Sequence, residues 1–265
     1  MNYIKFIGRP RFESAQLHKF KIGYIMNLRK LINLLNKPED FNFWEYYSVI
    51  SYSGSYVYSN KKAKSKDIDV IGIYILPKEL FFGCMHTKYK YCYCTIQDEW
   101  DLNFYEFKNA MALLLKGNFR LIELLFTNME FIIKTSEEFQ LLRINRNLFI
   151  NEQLYYNIKG YVKKVLKNIS KNVLINSELY HIVRLLKWSI ELFRDGQFSP
   201  VSNDWNKLYN IKNGLNKIDF IKKDIIELEK ELDYNFNHSI YKINNYEKNI
   251  NNLCSTILSN YYAKN

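Results

Sequence analysis

The sequence predicts an α/β (α+β) chain, a mixed sheet with helices followed by an all-helical C-terminal part. Three observations carry this. Up to residue 126, short runs rich in Tyr, Val and Ile, bounded by Gly, Pro or Asp, are interleaved with stretches of helical spacing. After about residue 129 the apolar residues recur only at three- and four-residue spacing, apart from one strand-like run at 130–134. Hydrophobic residues make up 48% of the 265, enough to pack a sizeable core and to exclude disorder as the main state.

The elements follow in order. Over 13–35, Leu17, Phe20, Tyr24, Leu28, Leu31 and Leu35 mark one amphipathic helix, which Lys37-Pro38-Glu39-Asp40 stops. Residues 46–52 form a strand that runs into Gly54-Ser55, and 68–76 a second strand that ends at Pro77. Residues 89–96 and 100–104 read as strands flanking a turn at 97–99. From Tyr105 the spacing is helical to Leu115, where Lys116-Gly117-Asn118 is a helix stop, and a short helix follows at 120–126. Helices are then expected at 137–148, 151–169, 177–194, 218–232 and 241–262. This divides the chain into an α/β domain, 1–135, and a helical domain, 136–265, with Tyr161, Trp188 and Phe193 among the core aromatics of the second.

Lysines and arginines number 38 against 27 acids, a net charge of +11. The excess is evenly spread: residues 1–130 hold 18 − 13 = +5 and the remainder 20 − 14 = +6. That balance suits a nucleotide or nucleic-acid partner and equally a solvated basic surface. No run of about 18 uncharged apolar residues occurs, so no membrane partner is expected. Four cysteines, Cys84, Cys92, Cys94 and Cys254, are too few for a disulfide framework and point to a reducing cytoplasm. Cys92-x-Cys94 lacks the spacing of a zinc knuckle, so Cys84, His86, Cys92 and Cys94 read as ordinary residues rather than a zinc site.

Chemistry is concentrated between residues 53 and 70. Ser53-Gly54-Ser55-Tyr56-Val57-Tyr58 follows a strand, a loop holding Lys61, Lys62, Lys64 and Lys66 comes next, and Asp67-Ile68-Asp69-Val70 opens another strand. Strand residues two apart share a face, so Asp67 and Asp69 point the same way. Two such carboxylates repel unless a cation lies between them. Two divalent ions about 3.5–4 Å apart are the natural load, clamping the attacking and leaving oxygens of a phosphoryl or nucleotidyl transfer. Gly54 lets the backbone approach a triphosphate, and the Ser55 hydroxyl can hold a phosphate near a helix start, where it can also serve as a plain N-cap.

This arrangement resembles the DNA polymerase β-like nucleotidyltransferase superfamily, whose signature is Gly-Ser, about a dozen residues, then Asp-x-Asp among apolar residues. Here 11 residues separate Ser55 from Asp67. The pattern is most similar to a branch of nucleotidyltransferases with members in RNA repair operons, marked by Gly-Ser-x-Ala-Tyr-Gly and Ser-Asp-x-Asp-x-Arg-Gly-Val. Gly54, Ser55, Tyr58, Asp67, Asp69 and Gly72 match it. So do the segments Tyr105-Glu106-Phe107-Lys108, Leu115-Lys116-Gly117-Asn118, Glu123-Leu124-Leu125-Phe126 and His181-Ile182-Val183-Arg184-Leu185-Leu186. The chain departs at Val57 and Ser59 (Ala and Gly in the branch), at Lys66 (Ser), at Ile71 (Arg) and at Phe119 (Pro). None of these departures removes a carboxylate; they bear on the detailed substrate.

The resemblance implies a nucleotidyltransferase-type sheet and transfer of a nucleoside monophosphate from a nucleoside triphosphate to an acceptor hydroxyl, an RNA end, with release of pyrophosphate. It further implies that Asp67 and Asp69 bind two Mg²⁺, with Mn²⁺ as a substitute ion. A third carboxylate, Asp101, with Asp98 as the alternative, would share a metal and help deprotonate the acceptor. Gly54, Ser55, Lys66, His181 and Arg184 become the nucleotide-binding candidates. Alternatives are modification of a protein or small molecule, and a noncatalytic descendant that binds nucleotide or RNA.

Overall fold

The computed structural model describes residues 46–61, 68–84, 91–96 (backbone only), 100–171, 176–241 and 246–264. The helix expected at 13–35 lies outside them.

Five strands form one mixed sheet in the order β3-β4-β2-β1-β5: β1 (Tyr47–Tyr52), β2 (Ile68–Tyr74), β3 (Tyr91–Ile96), β4 (Trp100–Glu106) and β5 (Ile132–Thr135). β2 and β4 run parallel and the other neighbours antiparallel, which makes the sheet mixed, as expected. β1 is buried along its whole length, and its Tyr, Val and Ile content suits a strand covered on both faces.

The strand read at 100–104 runs two residues further, to Glu106, and the helix behind it, α3 (Phe107–Leu115), starts correspondingly late. Glu106 explains the boundary, because its buried carboxylate accepts hydrogen bonds from the Lys108 and Asn109 amides, each at 3.0 Å, and so caps the helix. α3 ends in a Schellman motif in which the Gly117 amide bonds the Leu114 carbonyl and the Asn118 amide that of Leu113. Gly117 takes φ +66° there, and a Cβ would press into the Leu154 backbone. Asn118 belongs to the next helix, α4 (Phe119–Phe126), where its Oδ1 accepts from the Leu121 amide at 3.2 Å.

Two short helices complete the α/β part, α1 (Gly54–Tyr58) against β2 and α2 (Lys78–Phe82) after Pro77, the latter without a sequence signal of its own. Beyond β5 come α5 (Glu137–Ile144), α6 (Glu152–Ser170), α7 (Asn176–Asp195), α8 (Trp205–Lys212), α9 (Ile218–His238) and α10 (Tyr246–Lys264). α7 is the centre of the helical part: α6, α8 and α9 pack on it, and twelve of its residues are buried, Trp188 and Phe193 among them. α9 outlasts the expected 218–232 because Phe236 continues its apolar stripe and stacks on Tyr155, ring centroids 3.9 Å apart. α8 was not expected, since only Leu208 and Ile211 of its eight residues are buried, too few to set a period. α10 returns to pack on α3 and α5, and its Tyr262 hydroxyl donates to the Leu76 carbonyl at 2.8 Å. Among the described residues no helix is long and apolar enough to cross a membrane.

Candidate active site

β1 leads through Ser53 into α1, and this junction is locked to β2. The Ser53 amide donates to the Asp69 carbonyl at 2.9 Å. Gly54 adopts φ +64°, and a Cβ at that position would overlap the Asp69 carboxylate. Glycine is therefore required twice over, by the left-handed backbone and by the carboxylate packed on it. Ser53 is the N-cap residue, without a side-chain cap bond, and Ser55 is the second residue of the helix. The N-cap reading of Ser55 is thereby corrected.

Asp69 on β2 pairs in register with Asp101 on the parallel strand β4, and Ile71 pairs with Asn103 two residues on. Alternation along each strand puts all four on one face, and all four line a single cleft of about 470 Å³. Ser53, Gly54, Ser55 and Tyr58 line it too. Asp67, Asp98 and Lys66, like Lys62, Lys64 and His86, lie outside the described residues. Among the described residues no group of three or more His, Cys, Asp and Glu could hold a metal ion. The pair Asp69–Asp101 nevertheless supplies hard oxygen donors side by side, the donor chemistry that Mg²⁺ requires, and Asp67 directly precedes β2 in sequence.

Helices contribute further lining: Arg120 from α4 of the α/β part, and Tyr180, His181 and Arg184 from α7 and Lys212 from α8 of the helical part. Loss of solvent around the His181 imidazole, and then the charges of Arg120 and Lys212, hold it below its ordinary pKa. The Tyr180 hydroxyl is buried without a hydrogen-bond partner among the described residues. Burial first, then Tyr58 and the Asp69 charge, push its pKa up, so it remains a protonated donor.

Tyr58, Glu123 and Arg184 make a buried constellation in the wall of the cleft. The Arg184 guanidinium lies over the Tyr58 ring, 3.8 Å from its centroid, and Nη1 of the same arginine pairs with Glu123 Oε1. The Tyr58 hydroxyl donates to Glu123 Oε2 at 3.0 Å, and the Tyr58 carbonyl accepts from the Ser202 amide at 2.9 Å. Burial pulls the Arg184 pKa down; Glu123 and the ring face compensate the buried charge.

The cleft thus gathers Gly54, Ser55, Asp69, Asp101, His181 and Arg184 of the sequence-derived candidates. Tyr161, expected in the core, is half-buried and lines the cleft instead. Cys84 is an exposed free thiol. Lys61 sits 3.3 Å from Glu130 and over the Phe131 ring. Sequence reasoning missed Phe119, Arg120, Tyr180 and Lys212. One signal existed for Arg120: a cation in the first turn of α4 opposes the helix dipole, which favours acids there. Lys212 gave none, because its helix was not recognised.

A comparison with curated proteins returned no match. The family model of RlaP, the RNA repair pathway DNA polymerase beta family, matches residues 47–257, a span that takes in every described cleft residue above. The chain therefore belongs to the RNA repair pathway DNA polymerase beta family and is a polymerase β-like nucleotidyltransferase of RNA repair.

Proposed function

We propose that the protein moves a nucleoside monophosphate from a nucleoside triphosphate to the terminal hydroxyl of an RNA, releasing pyrophosphate. The observation that carries this is the in-register pair Asp69–Asp101 beside Gly54, in a cleft whose helical lining supplies Arg120, His181 and Lys212. Carboxylates and cations lining one cleft suit a substrate that presents a reacting phosphate and a polyphosphate tail. The basic charge of +11 suits a polyanionic acceptor.

Asp67, Asp69 and Asp101 would hold two Mg²⁺ or Mn²⁺, which supply Lewis-acid stabilisation of the charge developing on the reacting phosphate and the leaving oxygen. Asp101 would also take the proton of the acceptor hydroxyl as its oxygen bonds to the α-phosphorus and the bond to the bridging α–β oxygen breaks. Gly54 brings backbone close to the triphosphate, and the Ser55 hydroxyl donates to it. Arg120 and Lys212, with Lys66, neutralise its tail, and the His181 imidazole and the Tyr180 hydroxyl are further hydrogen-bonding groups. Arg184 acts through Tyr58, holding α1 in place. In this reading residues 1–135 carry the carboxylates and the Gly-Ser turn, residues 136–265 cover the nucleotide, and a reducing cytoplasm is the compartment.

The test is incubation with each α-labelled triphosphate, Mg²⁺ and RNA bearing free hydroxyl ends, with a cell lysate in parallel. Label on RNA supports the proposal. Label on a protein or small molecule alone moves the acceptor, and label nowhere with any triphosphate overturns the transfer reading.

A further inference from the structure

We propose that Phe119 and Tyr161 form a stacking platform that receives a nucleobase in the cleft, an assignment that rests on the nucleotidyl-transfer reading above. The two rings come from different helices, Phe119 from the first residue of α4 and Tyr161 from the middle of α6. Their centroids are 6.4 Å apart and their planes 29° from parallel. Both residues are half-buried, and both line the cleft that holds Asp69 and Asp101.

The pair is held by the backbone around it. Gly117, two residues before Phe119, presses against Leu154 of α6, and Asn157 Nδ2 donates to the Lys116 and Gly117 carbonyls. Tyr161 follows Asn157 by one helical turn on the same face of α6. The turn before α4 and the face of α6 that carries Tyr161 are thus braced together, which fixes one ring against the other.

Apolar area in this cleft would otherwise be poorly used. The Lys164 ammonium, 5.9 Å from the Tyr161 centroid, is paired with Glu178 at 3.2 Å, and the two half-covered aromatic rings, with Arg120 next in the chain, combine ring faces with a cation. That mixture recognises a nucleotide, because every base has a π-face and a phosphate nearby. Phe119 is also a position where this chain departs from the pattern it resembles, with an aromatic ring in place of proline. Stacking reads no hydrogen-bonding edge, so the platform contributes affinity with little choice between bases.

The base can belong to the triphosphate or to the acceptor end, and two arms of one experiment separate these. Binding of a nucleoside triphosphate and of inorganic tripolyphosphate, with Mg²⁺ present, is measured by calorimetry for wild type, Phe119→Ala, Tyr161→Ala and Tyr161→Phe. A second arm compares an RNA oligonucleotide with a terminal base and the same strand with an abasic end. If the platform takes the triphosphate's base, both alanine variants weaken triphosphate binding about tenfold, Tyr161→Phe stays near wild type, and tripolyphosphate binding is unchanged. If it takes the acceptor's base, the loss appears with the based oligonucleotide and not with the abasic one. Unchanged binding in folded alanine variants, or an equal loss for triphosphate and tripolyphosphate, overturns the platform while leaving nucleotidyl transfer standing. A wild-type protein that binds no triphosphate and labels no acceptor overturns the underlying reading, and the platform with it.

Discussion

The Arg184 guanidinium stacks on the ring of Tyr58, 3.8 Å from its centroid, and both side chains bind the same carboxylate, Glu123. Tyr58, Glu123 and Arg184 come from three separate stretches of the sequence, yet they share one buried contact. Their common task is mechanical. Tyr58 ends the short helix that begins at Gly54, so anchoring its ring fixes the turn that packs against Asp69.

Removing Glu123 should therefore cost more than removing either hydroxyl or stack. Glu123→Ala leaves a buried arginine charge without its partner, and the expected loss is about 3–5 kcal/mol in denaturant unfolding. Tyr58→Phe keeps the ring under Arg184 and loses one hydrogen bond, about 0.5–1.5 kcal/mol. Arg184→Lys should not rescue, because an ammonium lacks the planar face that stacks and the fork that binds carboxylate. Equal stabilities for Glu123→Ala and Tyr58→Phe would contradict this ranking.

Asp69→Asn and Asp101→Asn should each abolish transfer with the circular-dichroism spectrum unchanged, and Asp67→Asn likewise from its place in the motif. Asp98→Asn should retain activity. The distinction rests on register, since Asp101 is the residue directly opposite Asp69. A reversed ranking of Asp98 and Asp101 in turnover would move the third carboxylate.

Gly54→Ala should impair both fold and activity. An alanine in the left-handed region costs roughly 1–2 kcal/mol, and its Cβ also displaces the Asp69 carboxylate. Turnover should fall further than stability alone explains, read as lost activity in protein shown to be folded at the assay temperature. Ser55→Ala, which adds no strain, should raise the triphosphate KM and leave the unfolding midpoint near wild type.

Much of this site was legible because its signals are local. Gly-Ser at a helix start, Asp-x-Asp opening a strand and the apolar runs between them are readable over a few residues, and β1, β2 and β4 end within two residues of where those runs predict. What was not legible depends on chain segments meeting. Lys212 reaches the cleft from a helix with two buried residues, too few for a periodic signal. Tyr161 sits on a helix whose stripe of Leu154, Ile158, Val162 and Val165 is buried, and spacing alone did not separate it from that stripe. Glu106 looked like part of a motif and proves to be a helix cap, a role fixed by where β4 stops.

His181 gives a pH signature whose sign follows from its surroundings. Its pKa is lowered by desolvation first and then by Arg120 and Lys212. The unfolded chain therefore binds the proton at a higher pH than the native state does. Stability should fall as pH drops through the unfolded value, about 6.5, towards the depressed native one, and His181→Gln should remove that component. A bound triphosphate brings negative charge next to Arg120 and Lys212 and reverses the second cause, so the His181 pKa should rise on binding. By linkage, triphosphate affinity should strengthen as pH falls through the window between the two values, with a proton taken up on binding. Lys212→Ala should raise the His181 pKa of the free protein and shrink the further rise on binding. Titration of the imidazole resonances by NMR, with and without tripolyphosphate, reads all of this directly, His181→Gln assigning the signal among the four histidines of the chain. A His181 pKa that stays fixed or falls when tripolyphosphate binds would remove His181, Arg120 and Lys212 from the triphosphate site.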